Sequence, residues 1–149
     1  MREFQPDYTN MVKAARNIEV KRFPLYEHKV DPKVMEEITG VSFAELYNGD
    51  DRDLDEFFRN YCGFYRDMGY DTVSFEELIG PAMPGSGALG EHVKGVIQTR
   101  EDFEKYPWDG ICDTYFQMYR RSFEALRRNM PEGMKAIGGV GYGIFECVQ

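Results

Sequence analysis

The sequence is poor in the residues that form disulfides and hold metals, with three cysteines and two histidines among 149 residues. Cys62, Cys112 and Cys147 lie far apart and form no CxxC pair, which is typical of reduced, buried thiols in a cytosolic protein. Their spacing from His28 and His92 does not fit a zinc site. We therefore expect no metal within this chain.

The sequence also lacks long apolar runs and an excess of positive charge. No stretch of about 18 apolar residues is present, so no segment is predicted to span a membrane. The start of the chain, MREFQPDYTNMV, is charged and lacks the apolar centre of a signal peptide. A net charge of −8 argues against binding nucleic acid or an anionic membrane. These features predict a cytoplasmic protein.

Apolar and aromatic side chains, by contrast, are plentiful. Hydrophobic residues make up 42% of the chain and aromatic residues 15%, a composition that predicts a folded core rather than disorder. A chain of this length is sufficient for one domain, and we expect residues 1–149 to form it.

Capping residues and apolar periodicity predict helices along much of the chain. The predicted helices are TNMVKAARNIE, capped by Thr9; DPKVMEEITG, from the cap Asp31 to the stop Gly40; SFAELYNG, with a capping box from Ser42 to Glu45; residues 51 to 68, ended by Gly69; TREDFEKY, capped by Thr99 with Asp102; and DTYFQMYRRSFEALRRNM.

Strands are predicted between these helices. They are KRFPLYEHKV, residues 71 to 75, the short HVKGVIQ, and the segment GMKAIGGVGYG, after which a new helix begins. The turn GGVGYG is not a dinucleotide fingerprint, because the last glycine of GxGxxG would fall on Ile144. Strands that alternate with helices predict an α/β fold with parallel pairing.

Three of the predicted strands end in residues that suit a ligand site. These residues are Tyr26, Glu27 and His28; then Glu76 and Glu77; then Gly141, Tyr142 and Gly143. Ligands of α/β folds bind at the carboxyl ends of strands, where acids can move protons and glycines allow close backbone approach to a ligand or strand. Successive side chains of a strand point to opposite faces, so Val73, Phe75 and Glu77 share one face. In a barrel that face becomes the floor of the pocket, and we therefore expect Glu77 to contact the ligand more than Glu76. The alternative is that both acids are solvated or cap the next segment.

Four segments, in order, resemble the uroporphyrinogen decarboxylase superfamily of (β/α)₈ barrels. RFPLYEHKV resembles its first strand, and GYDTVSFEELIGPAMPG its second, which ends in an acid before a long loop. GVIQTREDFEKYPW is similar to its short strand and threonine-capped acidic helix, and MPEGMKAIGGVGYGIFECV to its next strand and glycine-rich turn. The family includes the heme-pathway decarboxylase and cobalamin-dependent methyltransferases that act on thiols.

The resemblance implies roles for individual residues. Glu77 is most similar in position to the decarboxylase's essential aspartate, proposed to bind pyrrole N–H groups. With the strand ends, this makes Glu77 and His28 candidate catalytic residues. The candidate substrate-binding residues are Tyr26, Glu76, Gly141 and Tyr142.

The resemblance leans towards methyl transfer from a corrinoid to a thiol. The decarboxylase grips its substrate's carboxylates with an arginine-rich segment, but the corresponding stretch here is YEHKVDPK, where Lys29 is a poor bidentate substitute. The methyltransferases lack that segment too, and hold zinc through His and Cys in later strands to make a thiolate. We therefore expect no cofactor within this chain, corrinoid and zinc for a complete protein, and a tetrapyrrole or corrinoid protein as partner. True porphyrinogen decarboxylation remains the alternative.

A closed (β/α)₈ barrel takes about 250 residues. We therefore expect 149 residues to supply the N-terminal part of such a barrel, with about three parallel strands. Open edges and apolar faces then predict either self-association or completion by a missing C-terminal part. Two other interpretations are a non-enzymatic half-barrel binding or assembly module and an unrelated small α/β domain.

Overall fold

The computed structural model describes residues 4–85 and 94–141. Within these ranges the chain forms an α/β structure of six α-helices, a short 3-10 helix at Gly80–Ala82 and two strands. The elements are α1 (Thr9–Ala15), α2 (Pro32–Thr39), α3 (Phe43–Tyr47), α4 (Asp51–Asp67), β1 (Thr72–Glu76), α5 (Arg100–Lys105), α6 (Trp108–Arg128) and β2 (Lys135–Gly139). No helix in the described ranges is long and apolar enough to cross a membrane.

The capping signals of α2 and α5 act as predicted, whereas α6 begins at Trp108, five residues before its predicted start. The Asp31 carboxylate accepts the Lys33 N–H at 2.8 Å at the start of α2, and Gly40 ends that helix with a positive φ of 72°. Thr99 and Asp102 form the expected reciprocal capping box of α5. Helix α4 begins with an equivalent pair, Asp50 and Asp53, which the sequence analysis does not single out.

Two predicted caps are not formed. Thr9 is the first residue of α1 rather than its cap, and its N–H and hydroxyl both donate to the Asp7 carboxylate. Ser42 precedes α3 without a side-chain cap, so the predicted capping box is absent at this helix. The Phe43 N–H instead donates to the Glu36 carboxylate at 2.7 Å, because α2 lies beside α3 and supplies the acceptor.

The two strands are parallel neighbours in one sheet. A Cβ built on Gly138 would lie 3.6 Å from the Phe75 carbonyl oxygen, and one on Gly139 would meet the Glu76 side chain. Just beyond the strands, the Ile79 N–H donates to the Val140 carbonyl at 2.8 Å. Residues later in one strand thus meet residues later in the other, so the two strands run in the same direction.

The predicted strand KRFPLYEHKV is wrong, because residues 21–30 form no regular element. On β1, the Ser74 carbonyl accepts the Tyr61 hydroxyl at 2.7 Å, and the Ser74 hydroxyl donates to the Glu27 carbonyl at 2.6 Å. A side-chain hydrogen bond therefore joins this segment to β1. Pro24 also lacks the backbone N–H that pairing with a neighbouring strand would need. Residues 94–98 of the predicted strand HVKGVIQ are also irregular, and the rest of that segment lies outside the described ranges. The described residues therefore contain two strands, whereas about three are expected from the sequence.

The chain divides into two compact units. The first comprises the residues up to Phe75 together with Ser122–Gly138, and the second comprises Glu76–Arg121 with the residues from Gly139 onward. The first unit contains an aromatic core along the predicted stripe of α4. Phe58 is fully buried, and its ring lies 4.9 Å from both Phe57 and Phe75.

The second unit buries fewer apolar side chains. Its buried hydrophobic residues in the described ranges are Ala82, Ile111 and Tyr115. Phe103, Trp108 and Phe116 are between 43% and 61% exposed. The described part of this unit therefore contributes much less hydrophobic stabilisation than the described part of the first.

Candidate functional site

The amino ends of the strands are closed by the N-terminal segment of the first unit. Asp71, just before β1, is fully buried and accepts the Asp7 N–H at 2.7 Å and the Arg22 guanidinium at 2.5 Å. Before β2, the Gly133 carbonyl accepts the Tyr8 N–H at 2.9 Å. A buried carboxylate with these partners is a structural ion pair.

The carboxyl ends of the strands, in the second unit, have a different chemistry. The Glu76 side chain lies over Gly139, where a Cβ would overlap its carboxylate. Gly141 has a φ of 74°, and a Cβ there would overlap the Leu78 side chain. The sequence leaves open whether these glycines approach a ligand or a neighbouring strand, and the structure places Gly139 against Glu76 at the end of β1 and Gly141 against Leu78.

Tyr115 of α6 joins this group. Its hydroxyl donates to the Glu77 carbonyl at 3.1 Å, and its ring packs 5.1 Å from Tyr119. Burial raises the pKa of Tyr115, and the Glu77 carboxylate, Tyr119 and the Glu76 carboxylate raise it further. The hydroxyl therefore stays protonated at neutral pH. The group combines two carboxylates, which can accept protons, with one phenol whose proton is donated to the Glu77 carbonyl.

Sequence reasoning assigned Tyr115 to the apolar stripe of α6 rather than to a site. The assignment to the stripe is correct, since Tyr115 is 5% exposed. A tyrosine in such a stripe carries a hydroxyl that needs a partner when buried. That requirement is the sequence signal that would have identified it as a polar contact.

The predicted site residues fall into two groups. Glu76, Glu77 and Gly141 lie in the second unit, whereas Tyr26 and His28 lie in the first. The Tyr26 hydroxyl is 3.2 Å from His28 Nδ1, and both residues are exposed. The carbonyl of Glu27, between them, accepts the Ser74 hydroxyl. Tyr142 lies outside the described residues.

Val73 and Phe75 on β1 pack on one face of the strand. The Phe75 ring packs 4.9 Å from Phe58 of α4 and 6.0 Å from Phe123 of α6, and Val73 is fully buried. The direction shared by Val73 and Phe75 is therefore covered by helices, because the apolar face of a strand buries against them. Glu76 lies on the opposite face. The relative importance of Glu77 and Glu76 for a ligand stays a prediction.

The described residues contain no group of three or more His, Cys, Asp or Glu side chains placed to hold a metal ion. Cys62 is buried in α4, and burial raises the pKa of its thiol to about 12. Such a thiol is not a nucleophile at neutral pH. Cys112 is exposed, and both Cys147 and His92 lie outside the described ranges.

The first unit also has a surface groove along α4. Its volume is about 660 Å³, and none of the predicted site residues lines it. The lining residues are Ile38, Thr39, Val41, Arg59, Asn60, Gly63, Phe64, Arg66, Asp67, Met68, Asn129 and Pro131. One of its two arginines, Arg66, bonds the neighbouring Asp67 at 2.8 Å.

Comparison with known proteins gives no relative on which to base a function. No protein-family model, no curated protein and no solved structure matches the chain.

Proposed function

We propose that this chain is the N-terminal portion of a uroporphyrinogen decarboxylase-like protein that binds a tetrapyrrole or corrinoid-linked substrate at the carboxyl ends of its strands. In this proposal the Glu76 and Glu77 carboxylates accept N–H groups of the substrate or orient a thiol. Tyr115 holds the Glu77 main chain beside them through its hydroxyl, which donates to the Glu77 carbonyl. Tyr26, His28 and Tyr142 keep the roles predicted from the sequence.

The proposal is carried by the chemical difference between the two ends of the strands. The amino end holds a buried ion pair of Asp71 with Arg22. The carboxyl end holds two acids, a buried tyrosine and a glycine at the position next to Glu76. α/β folds bind their ligands at this carboxyl end, which supports placing the site there.

Methyl transfer from a corrinoid to a thiol is our preferred activity for the complete protein. The segment 26–33 that would clamp substrate carboxylates in a decarboxylase contains Lys29 and Lys33 but no arginine. Two flexible lysines give weaker and less directional recognition of carboxylates than bidentate arginines. A substrate with many carboxylates therefore suits this chain less well than a corrinoid.

Binding measurements on the full chain test the proposal. Hydroxocobalamin and, under anaerobic conditions, uroporphyrinogen are titrated into wild type, Glu76→Gln and Glu77→Gln, with Glu37→Gln on exposed α2 as control. We expect hydroxocobalamin to bind, and Glu77→Gln to weaken binding about tenfold, the value of one hydrogen bond to a charged group. Tighter binding of uroporphyrinogen would favour the decarboxylase alternative. Binding of neither, or equal binding by all variants, contradicts the proposal.

The second candidate is a non-enzymatic half-barrel module that assembles with another chain. The specific observation in its favour is the exposure of β2, where Lys135, Ala136 and Gly138 are all open to solvent. An uncovered strand edge is a pairing surface rather than a catalytic one. This candidate predicts association without binding of either tetrapyrrole probe.

A further inference from the structure

Strand β2 has one paired edge and one open edge. It is bonded to β1 on one side, and among the described residues no strand lies along the other side. Lys135, Ala136 and Gly138 are exposed, and the strand contains no proline. Lys135 puts one charge on this strand, but the N–H and C=O groups of an open edge remain a template for another strand.

The backbone groups on the open edge can be assigned from the sheet register. The Val140 carbonyl accepts the Ile79 N–H, so the backbone groups of Val140 point towards the chain that continues β1. Alternation along the strand gives Ala136 and Gly138 the same direction. The N–H and C=O groups of Lys135, Ile137 and Gly139 therefore point outward.

We propose that the open edge of β2 pairs with β2 of a second copy of this chain, antiparallel and about a two-fold axis at Ile137. The sheet then has the strand order β1-β2-β2-β1. Ile137 of each copy pairs with Ile137 of the other, and Lys135 of each copy pairs with Gly139 of the other. These are the residues whose groups point outward, so about six backbone hydrogen bonds form without changing the existing pair of strands.

Charge complementarity favours a second copy as the occupant. The Glu76 carboxylate lies over Gly139, which has no side chain of its own. Lys135 of the second copy would lie opposite that glycine on the same face of the sheet. Strands are about 4.8 Å apart, so a lysine can reach a carboxylate across one bare position. The two-fold axis creates this ion pair twice.

The expected association is weak. A pairing of five residues buries less surface than the roughly 1,600 Å² of a standard interface. We therefore expect a dissociation constant in the micromolar range, on the order of 10 µM. This inference does not depend on the proposed function, since it needs no ligand.

Sedimentation velocity of the full chain between about 1 and 200 µM tests the pairing. Wild type is expected to shift from monomer to dimer over this range. Ile137→Pro removes an outward N–H but no bond to β1, and is expected to remain monomeric. Ile137→Thr keeps both the N–H and the β-branched shape, and serves as its matched control, which should dimerise. Circular dichroism establishes that each variant is folded.

Charge exchange tests the register. Lys135→Glu is expected to weaken dimerisation at least tenfold, whereas adding Glu76→Lys to it should restore most of the affinity. Lys33→Glu, the same charge change on exposed α2, should have no effect. A monomeric wild type, open-ended polymers, or a dimer insensitive to both Ile137→Pro and Lys135→Glu would overturn the proposal.

Discussion

At the scale of single residues, the buried charge of Asp71 is the most demanding feature of the first unit. It is satisfied by Arg22, by the Asp7 N–H and by the more distant Asn10 amide at 3.5 Å. Removing the charge leaves the arginine without its partner, although Arg22 is 37% exposed and so remains partly hydrated.

Asp71→Asn is therefore expected to lower the free energy of unfolding by about 2 kcal/mol, measured by urea denaturation. The matched control is Asp67→Asn, which removes a carboxylate from an exposed pair with Arg66. An exposed pair contributes about 0.5 kcal/mol or less. Equal effects of the two substitutions would show that Asp71 is not the structural anchor described here.

The three cysteines should differ in reactivity. Burial raises the pKa of Cys62 to about 12, so its thiol remains protonated in the folded chain up to strongly alkaline pH. In a Cys112→Ser, Cys147→Ser variant, we expect a disulfide reagent at pH 8 to label Cys62 only after unfolding. Between about pH 9 and about pH 12 the folded chain keeps a proton on Cys62 that the unfolded chain releases. The free energy of unfolding should therefore fall as the pH rises through this range. Rapid labelling of the folded variant would contradict this.

At the scale of elements, the sequence predicted what depends on neighbouring residues and missed what depends on distant ones. The ends of α2 and α5 follow from Asp31, Gly40 and Thr99, whose effects are local. The composition of the segment around Glu27 predicts a strand, but the segment meets β1 through a side chain, the Ser74 hydroxyl, which donates to the Glu27 carbonyl. A contact between residues 47 positions apart cannot be derived from local composition.

The same limit applies to the candidate site. Glu76 and Glu77 were identified because they follow an apolar run, and the structure has Glu76 as the last residue of β1 with Glu77 directly after it. Tyr115 was missed because its partner, the Glu77 carbonyl, lies 38 residues away. Periodicity shows that Val73 and Phe75 share a face, but not that helices cover that face.

Substitution by alanine should have opposite effects at two glycines, one inside α4 and one at its end. Gly69 has a φ of 88° at the end of α4, a conformation that an L-residue adopts only with strain. Gly63 lies inside α4, and a Cβ there would meet no atom within 4 Å. We expect Gly69→Ala to destabilise the fold by about 1 kcal/mol and Gly63→Ala to stabilise it by about 0.5 to 1 kcal/mol. Thermal unfolding of both variants checks this, and changes of the same sign would contradict it.

At the scale of the whole molecule, the two units differ in how much apolar surface they bury. The core of the first unit includes Met35, Phe43, Leu54, Phe58 and Tyr65, each between 0% and 2% exposed. The second unit has Tyr115 and Ile111 at 5% and 8%, while Phe116 is 61% exposed. Stability is rarely uniform when burial is this unequal, and the poorly packed part opens at a lower free energy.

The single tryptophan allows this difference to be measured. Trp108 lies in the second unit, where its indole N–H donates to the Phe103 carbonyl at 2.8 Å and its ring packs 4.6 Å from Tyr106. Its fluorescence therefore reports on the second unit, whereas circular dichroism at the helical band includes the long helix α4 of the first. We expect the fluorescence transition in urea to occur at a lower concentration than the circular dichroism transition, because less apolar burial gives less stability. Phe58→Leu, a change within the first unit, should move the circular dichroism transition downward and the fluorescence transition less. Coincident transitions in wild type and variant would mean that the chain unfolds as one cooperative body.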